Sequence, residues 1–285
     1  MIQSMTGYGK SVLQLPTKKI TIELKSLNSK NLDLNVRIPQ YYREKELAIR
    51  KKLASSLERG KIDFSIYIES NGGELSSNIN ESVIREYMKQ LKNVVDSDEI
   101  ELLKMAIKLP DSLKQEREEL DEQEWLKIEK TIEETTTKIN EYRLDEGKVL
   151  KKDFELRILN IKNLLDKVIE IDPQRVIQVK EKLRKAVAEL ETKIDENRFE
   201  QELIYYIEKL DITEEKVRLK NHLEYFLKAL NSSDSNGKKL GFITQEIGRE
   251  INTIGSKSNF AEMQKFVVQM KDELEKIKEQ NLNVL

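Results

Sequence analysis

The chain has 285 residues, 38% hydrophobic and 36% charged, a balance that suits long amphipathic helices with solvated outer faces and, given its regularly spaced apolar positions, excludes simple disorder. A formal net charge of -2 excludes a uniformly basic nucleic-acid coat but leaves room for a local basic cleft. With no cysteine, disulfides and thiolate metal sites are excluded as well.

The first 70 residues carry a period of two. "ITIEL" places Ile20, Ile22 and Leu24 on one face, "LDLNVRI" does so with Leu32, Leu34, Val36 and Ile38, and "KIDFSIYIE" with Ile62, Phe64, Ile66 and Ile68. Such alternation predicts half-buried strands in an antiparallel or mixed sheet. "MIQSMTGYGKSVLQL" reads as a further strand, its two glycines serving a bulge or close backbone packing. Between these runs "REKELAIRKKLASSLERG" has helical spacing and is expected to end at Gly60 as a C-cap.

"SNGGELSSNIN" (70–80) is rich in turn residues and marks a boundary. Beyond it the period becomes 3.6. Helices are expected over 81–95, from 122 through the 160s, and over 173–193, 197–209, 214–230, 239–252 and 260–280. Asp172 before Pro173 reads as the cap of a new helix. "NSSDSNG" (231–237) reads as a flexible turn. The expectation is an α+β fold: a sheet region over 1–70, a long-helix middle region over 71–195, and a C-terminal helical region over 196–285 that carries the functional site. No apolar run approaches the roughly 20 residues needed to span a bilayer. The first ten residues lack a signal-peptide pattern, so a soluble cytoplasmic protein is expected.

Two stretches carry candidate chemistry. In "LDITEEKVRLKNHLEYFLKAL", Asp211 with Glu214 suits a capping box, or Thr213 caps instead. Glu215, Arg218 and His222 then share one helical face at i, i+3 and i+7. His222, the single histidine, suits either a metal ligand or a proton donor, though the spacing alone favours a surface residue in ordinary ion pairs. In "GFITQEIGREINTIGSKSNF", Glu246 and Glu250 lie at i, i+4, where two carboxylates repel unless a cation lies between them. Hard cations such as Mg2+ and Mn2+ take oxygen ligands. Gln245, Arg249 and Asn252 share a neighbouring face suited to phosphate oxygens, and Lys238, Lys239 and Lys257 bracket the segment with positive charge. "GSKS", with Ser256, suits an anion-binding nest. The bland alternative is a solvated helix face, but exposed faces elsewhere use Lys and Glu, as in "KDELEKIKEQ".

Weaker signals remain. Lys25, Asn28, Lys30 and Arg37 in "SLNSKNLDLNVRIP" suit phosphate contact or a polar turn. Arg143, Glu146, Asp153 and Arg157 at helical spacing read as ion pairs. "TGYG" lacks the lysine and hydroxyl of a P-loop.

"IELKSLNSKNLDLNVRIP", "LERGKIDFSIYIE", "NRFEQELIYYIEKLDITEEKVRLKNHLEYF" and "GKKLGFITQEIGREINTIGSKS" together resemble the YicC/YloC endoribonuclease family. Gly241 and Gly248 stand where that family usually carries Asp and Asn. The resemblance implies a divalent-metal-dependent endoribonuclease acting on RNA within a ring-like homo-oligomer, a hexamer. It implies catalytic roles for Glu246, Glu250, His222 and Arg249, with Mn2+ or Mg2+ held among Glu246, Glu250, Asp211, Glu215 and His222. RNA contacts fall to Arg218, Lys238, Lys239, Asn252, Ser256, Lys257, Lys25 and Asn28. The alternative is a non-catalytic RNA-binding or adaptor protein.

Overall fold

Period-two alternation builds the sheet. The computed structural model describes residues 2–70, 78–95, 97–114, 121–189, 195–232 and 237–285. Strands β1 (Gly7–Gln14), β2 (Lys18–Leu27), β3 (Leu32–Arg37) and β4 (Gly60–Ser70) lie in the order β1-β2-β4-β3. β2 runs antiparallel to both β1 and β4, pairing Ile22 with Ile66 and Leu24 with Phe64. β3 runs parallel to β4, which requires a crossover. A short 3-10 turn (Gln40–Lys45) and helix α1 (Glu46–Ser56) supply it, burying Ile49 and Leu53 against the sheet. The sheet is therefore mixed, as the alternation allows.

Gly60 is not the helix cap that its position suggests. α1 ends at Ser56, because buried Leu57 is already extended (φ -125°, ψ 105°). Gly60 opens β4 at φ 124°, a conformation that side chains rarely adopt.

Two antiparallel two-residue strands, β5 (Asn78–Ile79) and β6 (Leu113–Lys114), flank the helices α2 (Glu81–Val94) and α3 (Glu99–Ala106). Of these helices, α3 had no counterpart in the periodicity reading. The turn-rich residues 71–77 and 233–236 lie outside the described residues.

The long helix α4 (Glu122–Ala188) runs through Pro173, where a new helix was expected. Proline in a helix interior removes a backbone donor and costs about 3 kcal/mol. The helix continues because its buried stripe continues: positions three or four apart are buried from Trp125 through Ile139, Phe154 and Val168 to Asp172 and Arg175. The first part of that stripe, Trp125 to Ile139, covers the sheet. Gly7 and Gly9 let β1 lie against it, since a side chain at either would strike Ile139 or the Thr135 carbonyl. The second part, Leu150 to Val168, enters a separate core with the helices α6 (Thr213–Leu230), α7 (Gly237–Lys257) and α8 (Ala261–Asn281). Phe154 and Phe226 meet edge to face at 5.8 Å in this core. The helix α5 (Glu196–Lys209) precedes these three and buries Leu203 outside that core.

α7 and α8 approach through glycine. Gly241, Gly248 and Gly255 recur every seventh residue and face Asn281, Leu274 and Val267, which have the same spacing. At 241 and 248, the two departures, an added Cβ would come within 3.2 Å of a side-chain tip on α8. The C-terminal residues return to the other end of the chain. Val284 bridges Ser4, the Leu285 amide donates to the Gln3 carbonyl, and Arg59 donates to the Val284 carbonyl at 2.7 Å.

Arg143, read as an ion-pair residue, is instead 1% exposed. It donates to the Ser26 hydroxyl and, at 3.4 Å, to the Met5 and Arg59 carbonyls, while burial lowers its pKa. Glu146 accepts from Thr6 instead. Arg157 is paired as expected, with Asp153 and also with Glu273 of α8.

Candidate active site

α6 and α7 are amphipathic and pack antiparallel. Ile243, Ile247, Ile251 and Ile254 of α7 enter the core with Leu219, Leu223 and Phe226 of α6. The polar residues at the edges of these two stripes therefore come together at the α6 N-terminus and the α7 C-terminus. Lys257, the last residue of α7, donates to Glu215 Oε1 at 2.7 Å and to the Asp211 carbonyl at 2.9 Å. Glu215 is only 5% exposed, and its Oε2 is buried without a hydrogen-bond partner. An uncompensated carboxylate oxygen in such a position is costly unless something occupies it.

Glu250 sits at the margin of the α7 apolar stripe and is 8% exposed. Burial pushes its carboxyl pKa up, and the nearby Glu215 and Glu246 add to the rise. Arg218 and His222, from the facing side of α6, oppose it. Glu215, Arg218, His222, Glu246 and Glu250 thus share one electrostatic neighbourhood across the two helices, a meeting that the spacings within each helix do not contain. Glu246 is paired with Arg249 at 2.7 Å, and Arg218 with Glu214.

Other expected contributions fall out differently. The reciprocal capping box is not formed. The Asp211 carboxylate accepts from the Thr213 amide at 3.2 Å and hydroxyl at 2.8 Å. Burial would raise its pKa, but these bonds and Lys216 lower it on balance. The five expected metal ligands do not form one cluster: among the described residues, no group of three or more His, Cys, Asp or Glu is placed to hold a metal ion. Nor does "GSKS" form an anion nest. Gly255, Ser256 and Lys257 are helical, the Ser256 hydroxyl returns to the Thr253 carbonyl, and Gln264 holds the Gly255 and Ser258 carbonyls at 2.6 Å.

Asn252 and Arg249 are exposed beside the site. Lys238 and Lys239 start α7, about 28 Å from Lys257 at 1.5 Å per residue. Lys239 lies over the Tyr225 ring at 5.5 Å. Lys25 lies near the end of β2, 3.8 Å from Glu23 and 5.9 Å from the Tyr8 ring centre, and exposed Asn28 follows just past that strand.

Sequence reasoning missed Asp172, Arg175 and Lys216. Asp172 was read as a cap, whereas it lies inside α4, 7% exposed, and binds both cations. Its i, i+3 spacing to Arg175 on a continuing apolar stripe was the available signal.

Two family descriptions match this chain. "Endoribonuclease YicC-like, N-terminal region" covers residues 2–152, and "Endoribonuclease YicC-like, C-terminal" covers residues 168–285. A protein of Clostridioides difficile (strain 630) named "Probable endoribonuclease YicC" is 35% identical over 293 residues, spanning all of both chains. A Haemophilus influenzae protein of the same name is 28% identical over 290 residues, again end to end. The helical face that gathers Glu215, His222, Glu246 and Glu250 falls within the second of these matched regions, and with both regions and full-length relatives in agreement the chain belongs to the YicC-like endoribonuclease family.

Proposed function

We propose that this chain hydrolyses phosphodiester bonds within RNA, using Mn2+ or Mg2+, and that it works in the cytoplasm as a ring-shaped homo-oligomer, a hexamer. The observation that carries the catalytic reading is the pair of buried carboxylates, Glu215 and Glu250, facing Arg218 and His222 at the junction of α6 and α7. The partnerless Glu215 Oε2 and the raised pKa of Glu250 fit a site that accepts a cation. Glu215 and Glu250 would hold that cation, with Glu246 and His222 at its border. When bound, it supplies Lewis acidity to a phosphoryl oxygen and lowers the pKa of water. Arg218, Arg249 and Lys257 neutralise phosphate charge, which grows toward the transition state. His222, half-buried between the carboxylates and solvent, delivers a proton to the leaving oxygen.

The test is cleavage of labelled RNA in Mn2+ or in EDTA. Glu246→Gln and Glu250→Gln each lose about 100-fold or more in rate, within the range for removing one electrostatic contributor. Cleavage that persists in both variants overturns the carboxylate assignment. The lack of a three-ligand group among the described residues favours a second reading, an RNA-binding adaptor. Salt-sensitive RNA binding with no cleavage under any metal condition decides for that reading.

A homo-oligomer is supported by the outer face of α4. Tyr142, Val149 and Leu156 recur there every seventh residue and are 50%, 66% and 50% exposed. A seven-residue apolar repeat on a solvated helix suits packing against another helix. Among the described residues, no helix is long and apolar enough to cross a membrane.

A further inference from the structure

Behind the α6–α7 junction lies a set of charges that the cleavage reading does not use. Asp172 of α4 splits its carboxylate between two cations: Oδ1 accepts from Arg175 Nε at 2.7 Å and Oδ2 from Lys216 Nζ at 2.7 Å. Arg175, 2% exposed, also directs Nη1 at the Lys257 carbonyl, 3.4 Å away. Lys257 in turn reaches Glu215, and Glu215 precedes Lys216 on α6. The contacts close a circuit over three helices: Asp172, Arg175, the end of α7, Lys257, Glu215, Lys216 and back to Asp172.

We propose that Asp172 and Arg175 are positioning residues for RNA cleavage, which hold Lys257 and Glu215 in register without touching RNA. The inference rests on the functional reading above. Three arguments carry it. A buried ion pair is a poor source of stability compared with apolar groups of the same size, and this one is set beside an otherwise apolar core. Pinning Lys216 fixes the rotation of α6 about its axis, and a neighbouring residue 100° around that helix is Glu215. A helix end frays unless its last carbonyls are held. Arg175 and Gln264 hold them at Lys257, Gly255 and Ser258, so the Lys257 side chain starts from an anchored backbone.

Arg175→Lys keeps the charge and loses the fork, whereas Asp172→Asn keeps the shape and loses the charge. Each lowers kcat for RNA cleavage about 10- to 100-fold, the scale of a small misplacement at a reacting centre, with KM changed less than about twofold. In combination with Lys257→Ala each adds less than its loss as a single variant, because part of its effect passes through Lys257 and only the part carried by Glu215 remains. Independent, additive losses in the double variants overturn the proposal, as does a loss confined to KM. NMR of protein carrying 13C-lysine, with Lys257 assigned through Lys257→Arg, gives a readout apart from activity. Its side-chain resonance moves toward that of a solvated lysine in Arg175→Lys and Asp172→Asn, and an unmoved resonance overturns the proposal even if one variant folds poorly. Wild-type protein that binds but does not cleave RNA overturns the functional reading, and the role in cleavage with it. A cleaving wild type with additive variants overturns this inference alone.

Discussion

Glu250 illustrates how one residue links stability to chemistry. Its folded-state pKa lies above the ordinary value of 4.5, first because it is buried and then because Glu215 and Glu246 are near. A carboxyl of this kind stabilises the fold while protonated, fully so below pH 4.5, and that contribution is lost as pH rises through the raised pKa. At neutral pH the ionised group therefore works against folding. Glu250→Gln is expected to raise the thermal midpoint at pH 7 and to give no gain at pH 4, measured by circular dichroism. The same substitution is expected to slow cleavage about 100-fold or more in the assay above, so function and stability oppose each other at this position. Glu273 has the opposite sign. Burial would raise its pKa, but Asn160, Lys276 and Arg157 lower it on balance, so its contribution is present above pH 4.5 and is lost in acid.

At the scale of elements, glycine decides how closely helices and strands approach. Alanine normally replaces glycine in a helix interior with a gain of about 1 kcal/mol. At Gly147 on α4 the sign reverses, because an added methyl group would collide with the main chain of Ile2 and Gln3. Gly147→Ala is expected to cost about 1–3 kcal/mol, the usual penalty for overpacking. At Gly241 on α7 the added group meets only the Asn281 side-chain amide, at 3.2 Å. Gly241→Ala is expected to be neutral or to stabilise by up to about 1 kcal/mol, since that side chain can shift. Urea unfolding of both variants checks the contrast, and equal losses would refute the distinction between main-chain and side-chain obstruction.

At the scale of the molecule, a net charge of -2 means that RNA affinity must come from local cations. Arg218, Arg249 and Lys257 are the cations beside the carboxylates. Arg249→Ala and Lys257→Ala should each reduce the slope of log Kd against log salt by about one, if each meets one phosphate. Fluorescence anisotropy over a salt series measures it, and unchanged slopes remove these residues from the RNA path. The α4 stripe makes a separate prediction about assembly. Val149→Glu places a charge in the proposed helix contact at a position already 66% exposed, so the folded subunit tolerates it. Native mass spectrometry should then find a subunit of 33.4 kDa where the wild type gives a multiple of that mass. An unchanged multiple places the contact elsewhere.

Local sequence determined the strands of the four-stranded sheet, chiefly through period-two alternation from Ile20 to Ile68, but not β5 and β6, and most of the helices, through the 3.6-residue period from 81 onward. It also placed Glu215, Arg218 and His222 on one face and Glu246 and Glu250 on another, because a helix converts spacing directly into direction. The meeting of those faces was not legible, since Glu215 and Lys257 are 42 residues apart and are joined only by the antiparallel packing of α6 on α7. Where local preference and burial disagreed, burial prevailed. Pro173 did not end α4, because the buried stripe runs on through Asp172 and Arg175. Gly255, Ser256 and Lys257 did not open into a loop, because Ile254 and the close contact of Gly255 with Val267 hold that end of α7 against α8. The buried stripes of separate segments must fit one another, and that requirement, which no single segment contains, placed two carboxylates, a histidine and a lysine at one helical junction.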